Sequence, residues 1–172
     1  YTLKPVQPGD NVIFAGTGTG EAPHNSMSIE LLKRGHTGRI VSMTCVRYKG
    51  DLGYLDQQEQ LQKQFSNYRY GAFTTREPEN MDENHPSYVG KQYLQDIIHP
   101  ERFQETFGWS PAPDKTHVFL CGNPSMIGLP EKNDRGELVF PDSKGMVELL
   151  AEQGYTLSTP KNPGNIHFEK YW

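Results

Sequence analysis

The sequence predicts an α/β fold, a doubly wound and mainly five-stranded parallel sheet with helices on both faces. Three observations carry that expectation. Short apolar runs of the kind that form buried strands recur along the chain, as in Asn11-Val-Ile-Phe-Ala15 and Val118-Phe-Leu-Cys121. Segments with helical spacing of apolar residues lie between them. The first run ends in Gly16-Thr-Gly-Thr-Gly20, a turn that leads directly into a helix signal.

Taken in order, Asn11–Ala15 is the first strand. Pro23–Lys33 is a helix with Met27, Leu31 and Leu32 on one stripe. Arg39–Val46 reads as the second strand. Leu55–Phe65, rich in Gln and Glu with Leu61 and Phe65 four apart, reads as an amphipathic helix. Tyr68–Thr75 alternates aromatics and forms the third strand. The polar stretch Pro78–Pro86 is a loop. Tyr88–Ile98 is expected to be helical and to stop near Pro100, because the residue before a proline is pushed out of the helical region. His117–Cys121 is the fourth strand, and Pro130–Pro141 an exposed excursion. Ser143 is placed to cap a helix through Gln153, ended by Gly154. Tyr155–Thr159 is expected to be the last strand, before a tail that runs to Trp172.

Composition bounds the function classes. A chain of 172 residues is expected to be one domain. Its 11% aromatic content argues against disorder. A net charge of -4 gives no general attraction for nucleic acid or an anionic membrane, so any cationic site must be local. No apolar run approaches the roughly 18 residues of a membrane span. The opening Tyr1-Thr-Leu-Lys-Pro5 has neither an initiator Met nor a signal-peptide pattern, and reads as excised from something longer. Cys45 and Cys121 both lie in strand-like stretches; two buried thiols fit a reducing compartment, and the cytoplasm is the expected location.

In a parallel sheet, ligands bind outside the carboxyl ends of the strands, so the residues just after each strand are the candidates. After the first strand, Gly16, Gly18 and Gly20 let backbone approach a bulky anion, and the helix opening near Pro23 points its free N–H groups at it. The same turn could also be only a tight corner. Its spacing differs from G-x-G-x-x-G, and the acidic ribose ligand about 20 residues on is absent, so a standard NAD fingerprint is not supported. After the second and third strands come Arg47 and Thr75-Arg76, joined by Lys91. Guanidinium forks suit phosphate oxygens, and a dianionic 2′-phosphate would be one target; three solvated cations are the plain alternative. After the fourth strand, Gly122 and Asn123 again permit close approach and Pro124 suits the first turn of a short helix. Cys121 could be no more than a packed core thiol. The aromatic end, Phe168-Glu-Lys-Tyr-Trp172, suggests docking on something flat, or cover for a local apolar patch.

In this order the residues resemble the NADP domain of ferredoxin–NADP reductases. Gly16-Thr-Gly-Thr-Gly20 with Ala22-Pro23, Val46-Arg47, Asp51-Leu-Gly-Tyr54, Thr75-Arg-Glu77, Cys121-Gly-Asn-Pro-Ser-Met126 and Glu169-Lys-Tyr-Trp172 carry the resemblance over nearly the whole chain. The Cys-Gly-Asn-Pro and Glu-x-Tyr-Trp pieces resemble the bacterial type, and Lys91-Gln-Tyr-Leu-Gln95 the plastid type. The resemblance implies a Rossmann-like NADP-binding domain and a residue-by-residue assignment. Gly16, Thr17, Gly18, Thr19 and Gly20, with Ala22 and Pro23, would cradle the pyrophosphate. Thr75, Arg76 and Lys91 would hold the 2′-phosphate, Tyr93 would stack on adenine, and Arg47 would add a cation. Gly122, Asn123 and Met126 would complete the nucleotide site. Cys121 would sit beside the nicotinamide, Glu169 near the redox centre, and Trp172, with Tyr171, over the flavin. The FAD itself would belong to an N-terminal barrel domain, whose Arg-x-Tyr-[Ser/Thr] motif is not found here. The implied enzyme exchanges hydride between NADP(H) and FAD and electrons with ferredoxin or flavodoxin.

Three departures stand out. Glu21 occupies a position that is usually apolar in the family, and a carboxylate there would oppose anion binding unless it points away or is paired. His24, where Phe is frequent, could change charge near neutral pH. Residues 128–141 read as an insertion. Two other readings remain: an NADH-dependent reductase domain that feeds an oxygenase, and a nucleotide-binding module without catalysis.

Overall fold

The computed structural model describes residues 1–170; Tyr171 and Trp172, expected at a flavin face, lie outside the described residues. The chain forms β1 (Asn11–Thr17), α1 (Glu21–Lys33), β2 (Ile40–Val46), α2 (Leu55–Gln64) and β3 (Tyr68–Thr74). There follow α3 (Pro78–Met81), α4 (Leu94–Ile97), α5 (Pro100–Phe107), β4 (Thr116–Gly122) and α6 (Pro124–Ile127). The chain then makes β5 (Glu131–Lys132), β6 (Leu138–Val139), α7 (Met146–Glu152) and β7 (Ile166–Lys170). The main sheet has five strands in the order β3-β2-β1-β4-β7, every pair parallel, as expected.

The period-two pleat divides the core into two layers. Val12 and Phe14 of β1 face α1 and α2, where they meet Leu31, Leu32, Ile40, Tyr68 and Phe119. Ile13 and Ala15 face the opposite way, into a larger cluster with Leu94, Ile97, Phe103, Ile127, Met146 and Leu150 from α4 to α7. Helices therefore cover both faces. The strand order reverses between β1 and β4, which opens a crevice at the carboxyl edge.

Several elements differ from expectation. The fifth strand is Ile166–Lys170 rather than Tyr155–Thr159, which contributes only an isolated bridge from Leu157 to Ile166. As an edge strand, β7 pairs on one side only, with β4, and its Ile-His-Phe-Glu-Lys composition hides its apolar content. The helix expected over Tyr88–Ile98 is confined to Leu94–Ile97. Upstream of it the backbone is committed to tertiary bonds: Val89 N–H donates to Glu79 O (2.8 Å) and Gln92 N–H to Thr74 O (3.2 Å). Pro100 ends one helix and starts another, occupying the first turn of α5, where its missing N–H costs nothing. The loop expected over Pro78–Pro86 contains the short helix α3. Gly145, not Ser143, precedes the helix α7. The excursion at 130–141 carries a two-residue antiparallel ladder with Leu138 and Val139 exposed.

Candidate nucleotide site

The strand registers bring the carboxyl ends together. Thr17 lies opposite Cys45, Gly16 opposite Cys121, Val46 opposite Thr74, and Cys121 opposite Glu169. The turn after β1 is pressed against the end of β4. A Cβ at Gly20 would stand 2.3 Å from the Cys121 carbonyl oxygen, and one at Gly122 2.3 Å from Thr17 Oγ1. No side chain fits at either position. Thr17 Oγ1 accepts the Asn123 N–H at 2.8 Å and so stitches the two turns together. Asn123 also caps α6, its side chain accepting the Ser125 N–H at 2.8 Å.

Over this edge lies a cavity of about 630 Å³, within the usual range for small-molecule sites. It gathers Thr17, Gly18 and Thr19 from the first turn, Arg47 after β2, Thr75 and Arg76 after β3, Lys91 and Tyr93, and Asn123 and Met126 after β4. Ten of the sequence-predicted residues thus converge from five separate stretches of chain. On the cavity side of Gly18 no heavy atom lies within 4 Å of where a side chain would begin, so backbone is open to a bulky group there. Gly16, Gly20, Ala22, Pro23 and Gly122 shape the seam and the first turn of α1 and do not line the cavity.

Charge on the rim is lopsided. Arg47, Arg76 and Lys91 face a single lining carboxylate, Asp51, in a chain of net charge -4. Among the described residues, no ion pair engages any of the three cations. The neighbouring acids are already occupied. Glu77 Oε1 accepts the Lys49 N–H, Glu79 Oε1 pairs with Lys49 Nζ, each at 2.5 Å, and Asp51 Oδ2 accepts the Tyr48 N–H at 3.1 Å. Thr75 is largely buried and its hydroxyl donates to Val46 O at 3.4 Å, which joins β3 to β2.

Glu21 does not oppose an anion. Its carboxylate is buried beneath the first turn of α1, where Oε1 accepts the Tyr70 hydroxyl at 2.7 Å. Burial raises its pKa above the ordinary carboxylate value, against hydrogen bonds from Tyr70, Thr44 and Gln58 that pull it down. His24 corrects the sequence reading. It is fully buried among Phe14, Phe119 and Tyr1, with Nε2 bonded to the Tyr1 hydroxyl. Burial drives its pKa down to about 3, so it stays neutral and cannot change charge near pH 7.

Cys121 is fully buried below the cavity, and Glu169 is half-buried on β7 beside it. Neither cysteine forms a disulfide. The sequence reading gave no role to Cys45, Asp51, Gln95 and Ser125, which also line the cavity. Asp51, Gln95 and Ser125 lie inside the stretches that carried the resemblance; Cys45 carried no signal beyond its place in a strand. Its Sγ donates to Gln92 O at 3.4 Å, and burial pushes the thiol up to about 11.

Comparison with known proteins decides the family. Residues 14–132 match the family described as oxidoreductase NAD-binding domain. The chain belongs to that family. This NAD-binding domain is 32% identical over 151 residues to ferredoxin–NADP reductase B of Sorangium cellulosum, covering 86% of this chain and 57% of the relative. Over 117 residues it is 30% identical to one component of the Na(+)-translocating NADH-quinone reductase of Yersinia enterocolitica, covering 67% of the chain and 26% of that protein. Its fold superimposes on a Neisseria gonorrhoeae ferredoxin NADP+ reductase with bound FAD and NADP at a TM-score of 0.73, with 19% identity, over 99% of this chain and 60% of that one. The NAD-binding domain therefore spans a little over half the length of the Sorangium relative it matches. Among the described residues, no helix is long and apolar enough to cross a membrane.

Proposed function

We propose that this domain binds NADP(H) along the carboxyl edge of its sheet and presents the nicotinamide to a flavin in a ferredoxin or flavodoxin–NADP reductase. The observation that carries the reading is the set of cations, Arg47, Arg76 and Lys91, left without ion-pair partners among the described residues on one cavity that also takes in the glycine turn. An unphosphorylated ribose would have no use for three of them, whereas a 2′-phosphate is a dianion that guanidinium forks fit.

The residues divide the work along the cavity. At the β3 end, Arg76 and Lys91 hold the 2′-phosphate, with Thr75 keeping Arg76 in place through its bond to β2. Arg47 adds a cation, and Tyr93, half-exposed, offers a ring face to the adenine. At the switch point, the Thr17–Gly20 turn and the first N–H groups of α1 receive the pyrophosphate. Asn123, Ser125 and Met126 bound the far end. Cys121 and Glu169, paired in register on β4 and β7, are assigned to the nicotinamide end. Bound NADP(H) supplies a hydride donor or acceptor, and the protein contributes position. The flavin, FAD, is held mainly by a second domain of the whole protein, consistent with the share of the Sorangium relative that this chain covers. A reducing compartment, the cytoplasm, suits two buried thiols outside any disulfide.

The test is a calorimetric titration of the 172-residue chain with NADP+ and, separately, NAD+. Tighter NADP+ binding by tenfold or more is the expected result. Equal affinity would transfer support to an NADH-using reductase, the reading that similarity to the Yersinia protein favours. Binding of neither nucleotide, with or without the flavin domain, would overturn both.

A further inference from the structure

The two cations assigned to the 2′-phosphate lie on different stretches of irregular chain. Arg76 follows β3; Lys91 sits on the extended strap between α3 and α4. Neither lies within a strand, and the sheet reaches the strap through the bond from Gln92 N–H to Thr74 O on one side of Lys91 only. One side chain makes the connection. Asn80, on the short helix α3, is only 3% exposed. Its Oδ1 accepts the Glu77 N–H at 3.0 Å, and its Nδ2 donates to the Gly90 carbonyl at 2.8 Å. Glu77 is the neighbour of Arg76, and Gly90 the neighbour of Lys91. A single buried amide therefore spans the two cation-bearing stretches.

The surrounding bonds frame this link without replacing it. Arg76 N–H donates to Arg47 O at 2.9 Å, which ties the two arginine loops. Val89 N–H reaches Glu79 O and Gln92 N–H reaches Thr74 O, either side of Gly90 and Lys91. Lys49 engages both acids, its Nζ pairing with Glu79 and its backbone N–H with Glu77, and among the described residues neither carboxylate forms an ion pair with Arg76. Two side chains bond the strap beside Lys91, Cys45 to Gln92 O from β2 and Asn80 to Gly90 O; of these Asn80 alone also bonds the stretch next to Arg76. The position needs a donor and an acceptor on one short side chain, which asparagine supplies.

We propose that Asn80 is a positioning residue for discrimination between 2′-phosphorylated and unphosphorylated dinucleotides, holding Lys91 and Arg76 at the spacing one phosphate requires. The proposal rests on the reading of this cavity as a 2′-phosphate site. Preorganised cations lose less freedom on binding, so loosening the strap weakens the nucleotide that uses Lys91 and spares the one that does not.

The experiment compares wild type, Asn80→Ala, Asn80→Ser and Arg76→Ala in the 172-residue chain, titrated with NADP+ and NAD+ and followed by thermal melting and amide hydrogen exchange. Asn80→Ala removes both bonds and is expected to weaken NADP+ about tenfold and NAD+ less than twofold. The amides of Val89 and Gln92 should exchange faster. Asn80→Ser keeps a small polar side chain one bond shorter, and should show the same split if the Ala variant does not fold. Equal weakening of both nucleotides, or unchanged exchange at the strap, would mean that Asn80 supports the fold alone and the proposal is wrong. Wild type preferring NADP+, with the preference lost in Arg76→Ala but kept in both Asn80 variants, overturns this inference and leaves the phosphate site standing. Wild type without any preference overturns both.

Discussion

The pocket rim and the polar cluster under α1 place charge by opposite rules. On the rim, Arg47, Arg76 and Lys91 face water, and the nearby acids are occupied elsewhere. Under α1, Glu21 is buried and its carboxylate accepts from Tyr70, with Thr44 and Gln58 as further donors. Gln58 continues the cluster, bonding Asn25 at 3.2 Å and accepting the Tyr68 hydroxyl. A charge left without a protein partner at the surface costs little, because water solvates it until a ligand arrives. A charge in the interior persists only when its lone pairs are met. The two regions thus divide binding from stability, and each can be attacked without the other.

The largest expected effect is on the buried side. Glu21→Ala would strand the Tyr70, Thr44 and Gln58 donors and should cost about 3 kcal/mol of unfolding free energy. Denaturant titration measures this, and the ratio of NADP+ to NAD+ affinity should not move. The pH dependence sharpens the point. A carboxyl with a raised folded pKa holds its proton to higher pH than the unfolded chain does, so wild type loses stability as pH rises through the window above 4.5. Glu21→Gln should remove that slope. A loss of nucleotide discrimination in either variant would break the division between the two regions.

Next is the rim. Arg76→Ala should weaken NADP+ by about 2 kcal/mol, the loss of a charged hydrogen bond, with NAD+ unchanged. Its melting temperature should stay close to that of wild type, since an exposed cation supports no core contact. Calorimetry of both nucleotides checks this; equal losses would sink the assignment of Arg76 to the 2′-phosphate.

The smallest effect at neutral pH belongs to His24. Its folded pKa, about 3, lies below the ordinary 6.5, so the unfolded chain binds the proton first. The stability this contributes is complete above pH 6.5 and is lost as pH falls toward 3, at about 1.4 kcal/mol per pH unit. His167, lowered to about 4 by burial and by the neighbouring His117, acts in the same direction. His24→Phe should therefore flatten the acid limb of the stability curve without abolishing it. An unchanged acid limb would show that His24 does not carry this dependence.

Much of the fold was legible because buried parallel strands must be apolar almost throughout. Ile13, Val41 and Val118 announce their strands for that reason. The strap at 88–93 and the strand at 166–170 were not legible. The strap is extended because Gly90, Val89 and Gln92 find partners on α3 and β3, and no local pattern encodes those bonds. The edge strand β7 buries Ile166 on one face and His167 on the other, and its polar residues His167, Glu169 and Lys170 masked it. A helix does stop just before Pro100, as read, but the start of α5 there was missed, because a proline near a boundary serves equally well as the first residue of the next helix.

The alternation of strands and helices, the glycine turn and the identity of the cations follow from local spacing and residue chemistry. Where Glu21 and His24 point, that the rim cations share one cavity, and that Asn80 joins the stretches which carry two of them follow from packing. Burial and hydrogen-bond partnership are properties of surroundings. The surroundings of Glu21 come from Thr44, Gln58 and Tyr70, residues far away in the chain that meet only when β2, α2 and β3 have packed.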